Sequence, residues 1–201
     1  MFAVVTDGTI TSFPKGNKGI TIDDIQYPKA IYSLWTEAER NAIGIYTVEI
    51  DETNRKDETF YINTDITYAF GSSKVTGSYG TATAKAIADA NATDENGDDL
   101  DPVIVIKGLK TQYKDNFNAQ ASGLLAPTDW YVVKATEVSD YTVPSAITTY
   151  RAAVRTKVNA METAIDGCAN VEALITLLTY ETDSDGNITT RPLGEFPDEV
   201  I

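Results

Sequence analysis

The chain is rich in groups that move protons and short of most others that do chemistry. Thirty Asp and Glu residues stand against sixteen Lys and Arg, histidine is absent, and the single cysteine is Cys168. Two carboxylates in unlike surroundings can divide the roles of acid and base, so that chemistry stays open on inventory. Zinc sites of the usual Cys/His type, disulfide frameworks and histidine-centred triads need residues the chain lacks. Two oxygen-rich stretches raise the question of calcium. In Asp94–Asp101 (DENGDDLD), Gly97 suits a sharp turn, but the spacing departs from a helix–loop–helix calcium loop. Val105 stands where a closing bidentate Glu belongs, so a solvated loop is the expectation. Asp183–Asn187 (DSDGN) lies between two extended runs, Thr176–Thr182 and Ile188–Thr190, and reads as a hairpin turn that needs no metal.

The remaining short motifs are weak. Gly71-Ser72-Ser73-Lys74 lacks the spacing and the strand–helix context of a phosphate loop, and no Gly-rich dinucleotide fingerprint occurs. Ser78-Tyr79-Gly80 has no neighbouring base beyond common carboxylates. Thr128-Asp129 reads as a turn hydrogen bond rather than a catalytic pair. No catalytic constellation assembles, so the expectation is a protein that is not an enzyme and carries no cofactor. Tyr61, Tyr68, Phe70 and Tyr79 have faces on which sugars or bases stack, but their alternation in extended runs points to cross-strand packing.

The bulk properties narrow the partners. A formal charge of −14 disfavours nucleic acid, because phosphate neutralisation needs clustered Lys and Arg. No apolar run approaches the roughly 20 residues of a membrane span. The start, MFAVVTDG, lacks the basic residues and apolar block of a signal peptide, so synthesis in a cytoplasm is expected.

The elements that must position any site make an α+β chain. Residues 1–92 read as a β-rich module, 93–101 as an acidic loop, 102–180 as a helical module, and 181–201 as a hairpin and extended tail. Phe2–Val5 and Thr9–Ser12 flank Asp7-Gly8, a dipeptide suited to a type I′ turn. Thr36 and Glu39 have capping-box spacing for a short helix ended by Gly44, and Ile45–Ile50 is strand-like. Asp51–Glu58 is a polar connection, and Thr59–Ile62, Ile66–Phe70 and Lys74–Tyr79 are further extended runs. The alanine-rich Thr81–Ala92 predicts a helix. Val103–Ile106 is an apolar run of ambiguous type.

In the helical module Leu109, Tyr113, Phe117, Ala121 and Leu124 recur at steps of three and four, predicting an amphipathic helix that Pro127 ends. Trp130 follows the Thr128-Asp129 turn and is predicted to be buried at a helix junction with its N–H bonded, with Val132–Lys134 as an extended link. The strongest helix runs from Pro144 and Ser145 to Gly167, where a left-handed residue closes it. Its apolar stripe is Ile147, Tyr150, Val154, Val158, Met161 and Ile165. Asn170 is a candidate N-cap for a last helix with the stripe Val171, Leu174, Ile175 and Leu178. The tail, Arg191–Pro197, reads as an arm lying on a partner or along the domain surface.

One pattern is more specific. Leu124-Leu125-Ala126-Pro127-Thr128-Asp129-Trp130 is followed by Val143-Pro144 and then by Tyr150-Arg151 and Arg155. This resembles the C-terminal module of phage tail assembly chaperones and tail-fibre assembly proteins, over about Leu109–Gly167. Those carry a double-leucine helix end, an Asp-Trp pair, a spacer ending in Pro and a Tyr-Arg-xxx-Arg helix. More weakly, Trp35, Glu39, Arg40 and Gly44-Ile45-Tyr46 are similar to the opening segment of such proteins. The resemblance implies a non-enzymatic protein of the virion, made in the host cytoplasm, acting through contacts with other tail or fibre proteins. A homo-oligomer in a symmetric assembly is implied too. It supports a component kept in the particle and, equally, a soluble chaperone that leaves it; a carbohydrate-binding fibre face stands behind both. The residues singled out for contacts are Trp35, Asp129, Trp130, Tyr150, Arg151 and Arg155. Asp129 is expected to pair with Arg151 or Arg155.

Overall fold

A computed structural model describes residues 1–71 and 73–200; Ser72 of the Gly71–Lys74 segment and Ile201 at the end of the tail lie outside the described residues. The chain is α+β and divides into two compact units, Met1–Thr83 and Ala84–Ile201. The division thus falls some residues before position 92, and residues 84–92 belong with the helices.

In the first unit β1 (Phe2–Thr6) and β2 (Thr9–Ser12) form the expected hairpin, with Asp7 and Gly8 both at positive φ as a type I′ turn requires. A second hairpin, β3 (Ile20–Ile22) and β4 (Ile25–Tyr27), leads to α1 (Ile31–Leu34) and α2 (Glu37–Ala42). Thr36 and Glu39 make the predicted capping box on α2, each side chain bonded to the other's backbone N–H. Then come β5 (Ile45–Asp51), β6 (Tyr61–Ile62), β7 (Ile66–Gly71) and β8 (Lys74–Tyr79), with β9 (Thr83–Ala84) at the unit boundary. The main sheet has the order β2-β1-β5-β8-β7. All its pairings are antiparallel except β5 with β8, which is parallel.

Alternation along the strands loads both faces of this sheet. Ala3, Val48 and Val75 form one core, covered by Val5, Ile10, Tyr46, Tyr68 and Phe70. Val4 and Ile45 turn to the other face and pack with Ile31 under Ile20, Ile22, Tyr27, Tyr32 and Trp35. Tyr68 stacks on Phe13 at 4.6 Å and Phe70 on Tyr46 at 4.7 Å, so these rings serve packing, as their spacing implied. Gly77 makes that packing possible. A Cβ there would stand within 3 Å of side-chain atoms of Tyr68, Ile66 and Ile50.

The second unit opens with an overturned expectation. Residues 81–92 are not a helix: β9 and β10 (Ala90–Asn91) are short strands, and the chain between them loops over the start of α3 (Leu109–Leu125). The physical reason is the set of N–H groups that a helix start leaves without partners. Ala86 and Ile87 carbonyls accept from Leu109 and Lys110, and Asp89 Oδ1 accepts from Gly108 at 2.8 Å. Those contacts outweigh alanine's helix propensity, which is worth a fraction of a kcal/mol per residue. β10 pairs with β11 (Val105–Ile106).

α3 is followed by η1 (Ala126–Thr128), α4 (Asp129–Glu137), α5 (Ser145–Asp166) and α6 (Val171–Leu178), then by the hairpin β12 (Glu181–Thr182) and β13 (Ile188–Thr190). The predicted stripe of α5 is its buried set, residue for residue. Gly167 does end that helix, but at φ −70°, right-handed rather than left-handed. α3 and α5 pack antiparallel. Lys114 pairs with Asp166 at 2.8 Å, and Lys110 donates to the Asp166 carbonyl at 2.8 Å. Both cations thereby meet the negative end of the α5 dipole. Asn170 caps α6 as predicted, accepting from Ala173 N–H at 2.9 Å. The tail lies along its own unit. Leu193 is buried, Phe196 packs on the Ala121–Tyr150–Val154–Val158 core, and Lys157 Nζ donates to the Leu193 carbonyl at 2.9 Å. It is therefore partly a core element as well as an arm.

Candidate functional site

The double leucine, the Thr-Asp pair and the Tyr-Arg pair meet at one place, the C-terminus of α3. A helix end leaves carbonyls without intrahelical donors. Here α5 supplies them: Tyr150 Oη donates to the Leu124 carbonyl at 3.3 Å, and Arg151 Nη1 to the Leu125 carbonyl at 3.0 Å. The same Arg151 nitrogen lies 2.6 Å from Thr128 Oγ1 and 2.8 Å from Asp129 Oδ1. Thr128, fully buried, donates its hydroxyl to the Leu125 carbonyl at 2.7 Å. Burial, with the charge of Glu199 adding to it, pushes the Tyr150 phenol above its ordinary range and keeps it protonated as a donor.

This clasp fixes the path of the chain after α3. Pro127 falls in the first turn of η1, where its missing N–H is not needed, so it redirects the helix without ending helical structure. Helix resumes at Asp129, and Val132–Lys134 are helical rather than an extended link. Trp130 is consequently not buried. It is 50 % exposed, its indole N–H has no acceptor among the described residues, and its ring stacks on Tyr131 at 4.0 Å. Lys134 Nζ sits 5.5 Å from the Trp130 ring centre and 4.3 Å from that of Tyr141. No residue of α4 is buried, and Trp130, Val132, Val133 and Val138 are all exposed.

Between α4 and α5 runs a cleft of about 310 Å³ lined by Val132, Val143, Thr148, Arg151 and Arg155. Of the two arginines only Arg151 pairs with Asp129; Arg155 is exposed and makes no ion pair or hydrogen bond among the described residues. The singled-out residues therefore divide by role. Asp129, Tyr150 and Arg151 hold the turn together, while Trp130 and Arg155 face outward beside it. Trp35 lies in the other unit, half-buried in its core, edge-on to Tyr27 at 5.8 Å, with its carbonyl accepting from Arg40.

A comparison with family models, curated proteins and solved structures finds no match. The geometry alone speaks for the site. Among the described residues no three acidic, Cys or His side chains converge as a metal site would require. In both acidic loops the leading carboxylate is used locally: Asp94 accepts from the N–H groups of Asn96 and Asp98, and Asp183 from those of Asp185 and Asn187. The Asn96 and Asp98 N–H groups hold the Asp94 carboxyl below its ordinary range, and the Asn187 side-chain amide, aided by the backbone N–H groups of Asn187 and Asp185, does the same for Asp183. A carboxyl shifted that way is a poor acid near neutrality. The α4 surface offers contact chemistry instead: an exposed tryptophan, a valine-lined wall and an unpaired guanidinium, held rigidly to the bundle at one end.

Thr128 is the residue the sequence reading undervalued. Its position between a helix end and a remote arginine has no local signature, and only the antiparallel packing of α5 on α3 makes it a hub. Gly108 and Asp89 are equally silent in the sequence, because the loop at 86–89 meets the start of α3 only in the fold.

Proposed function

We propose that this chain is a non-enzymatic bacteriophage structural protein of the tail or tail fibres, working through protein–protein contacts in virion assembly. The observation that carries the reading is α4, a nine-residue helix with no buried residue that presents Trp130, Val132 and Val133 to solvent from a clasped base. Tryptophan and arginine are the residues that most often dominate interface energies. Rigid attachment lowers the ordering cost of binding. The Leu-Leu/Thr-Asp-Trp/Tyr-Arg pattern that resembles tail-assembly modules coincides with this clasp and the surface beside it. The partners on this reading are other tail or fibre proteins, with the protein located in the virion. No helix among the described residues is long and apolar enough to cross a membrane.

The test is quantitative mass spectrometry of purified virions. Presence at a copy number that fits a symmetric ring or fibre supports the reading. Presence in assembly lysates with absence from mature particles selects the soluble chaperone instead. Trp130→Ala is expected to fold normally and to fail to incorporate; normal incorporation would remove α4 from the contact.

A further inference from the structure

The β10–β11 ribbon has a different unfinished surface. Val103, Ile104, Val105 and Ile106 are each 53–58 % exposed, and because consecutive strand residues alternate, both faces of the ribbon are bare. β11 pairs only with β10 among the described residues. Ile104 directs its carbonyl to β10, accepting from Ala92 N–H at 2.7 Å. Alternation then turns the N–H and C=O of Val103 and Val105 to the open edge. An apolar edge of this kind is a template for another strand.

We propose that this edge pairs with the same edge of a second copy of the chain, antiparallel about a two-fold axis. Charge selects the occupant and its direction. The ribbon has an acidic tip, with Asp94, Glu95, Asp98, Asp99 and Asp101, whereas at its base Lys107 and Lys110 offset the carboxylates of Asp89 and Asp115. Parallel pairing would stack the two tips. Antiparallel pairing with Val103 opposite Val105 of the second copy separates them and sets Asp101 opposite the second copy's Lys107, twice over. Lys107 bonds Asp115 at 2.7 Å within its own chain, yet its side chain remains more than half exposed and keeps donors free. Pro102 falls on the β10 side of the alternation, so its missing N–H does not interrupt the new ladder. Covering the four half-exposed side chains of each copy removes at most on the order of 700 Å² from water, short of the roughly 1,200 Å² of a standard stable interface. The pairing is thus weak in dilute solution and strengthened wherever an assembly holds copies side by side.

The inference does not rest on the phage reading. Sedimentation equilibrium of the full chain, from micromolar to several hundred micromolar, is expected to show a monomer–dimer equilibrium. Val105→Pro removes an outward N–H, leaving the bond from Ala92 to Ile104 its donor and acceptor, and should weaken dimerisation at least tenfold with an unchanged circular dichroism spectrum. Val105→Lys tests the same edge without touching the backbone. Lys107→Asp should weaken it and Asp101→Lys with Lys107→Asp should restore it. A wild-type chain monomeric throughout overturns the proposal. So does a dimer indifferent to both Val105 variants, which would place association on another surface.

Discussion

Replacing Arg151 with methionine keeps most of the side chain's apolar stem and removes the donors that join α5 to the end of α3. The cost can be worked from the contacts. The Arg151 side chain is only 14 % exposed, so its bonds to Thr128 Oγ1 and the Leu125 carbonyl lie in a largely dry setting. A hydrogen bond from a charged donor contributes about 1.5–3 kcal/mol there. The Leu125 carbonyl keeps the Thr128 hydroxyl as donor, so it is not orphaned and adds little. Asp129 is 59 % exposed, and solvent screening limits its ion pair to about 0–1 kcal/mol. Arg151→Met should therefore lose about 2–3 kcal/mol, and Asp129→Asn less than about 1 kcal/mol. With a urea dependence of about 2 kcal/mol per molar, the Arg151→Met midpoint falls by about 1–1.5 M. Double-mutant cycles locate the energy. Coupling of Arg151→Met with Thr128→Val should exceed its coupling with Asp129→Asn. The reasoning fails if Arg151→Met is within about 0.5 kcal/mol of wild type, or if the exposed carboxylate couples more strongly than the buried hydroxyl.

The other predictions test single features by stability or reactivity. Trp130→Ala should cost under about 1 kcal/mol by chemical denaturation, against the roughly 3–5 kcal/mol of a buried aromatic; a loss in that upper range would mean the ring is covered. Gly108→Ala should destabilise the second unit markedly, since its Cβ would overlap the Ala88 carbonyl group; a melting temperature within a degree of wild type refutes that close approach. Asp89 is held below the ordinary carboxylate range by the Thr111 hydroxyl and the Gly108 N–H, so its folded pKa lies under its unfolded one. Its stabilisation is present above about pH 4 and disappears as pH falls through the folded value, so the melting-temperature gap between wild type and Asp89→Asn should close on acidification. Cys168 is buried and its thiol raised by that burial, so alkylation at neutral pH should wait for unfolding; fast labelling of the native chain would contradict the burial of the turn that follows α5.

What the sequence disclosed and what it hid follow one physical line. Every element whose signal is its own period or its own cap is where the residues put it. The α5 stripe from Ile147 to Ile165, the Asp7-Gly8 turn, the Thr36–Glu39 box and the Asn170 cap are settled by neighbours within a few positions. Apart from the hand of the Gly167 cap, which is a local matter, the main misreadings sit where a partner far along the chain decides. Residues 86–89 look helical by composition, yet the Ala86 and Ile87 carbonyls and the Asp89 carboxylate are taken by N–H groups at the start of α3, about twenty positions on. Trp130 looks like a junction residue, yet Arg151, more than twenty positions away, fixes the preceding turn so that helix resumes and the ring faces out.

That last error bears on function. The residue pattern Leu-Leu, Thr-Asp-Trp, Tyr-Arg-xxx-Arg reads as one motif, but it contains two kinds of residue. The backbone carbonyls of Leu124 and Leu125 and the side chains of Thr128, Asp129, Tyr150 and Arg151 are bonded to one another at the end of α3, and these residues shape the turn. Trp130 and Arg155 contribute nothing to it. Trp130 is exposed together with Val132, Val133 and Val138, and it is this contiguous apolar group, rather than one ring, that marks a contact surface. On the proposed reading, a surface contact accounts for the exposed ring beside the clasp. Disrupting the clasp should therefore impair folding and contact together, whereas removing Trp130 should impair contact alone.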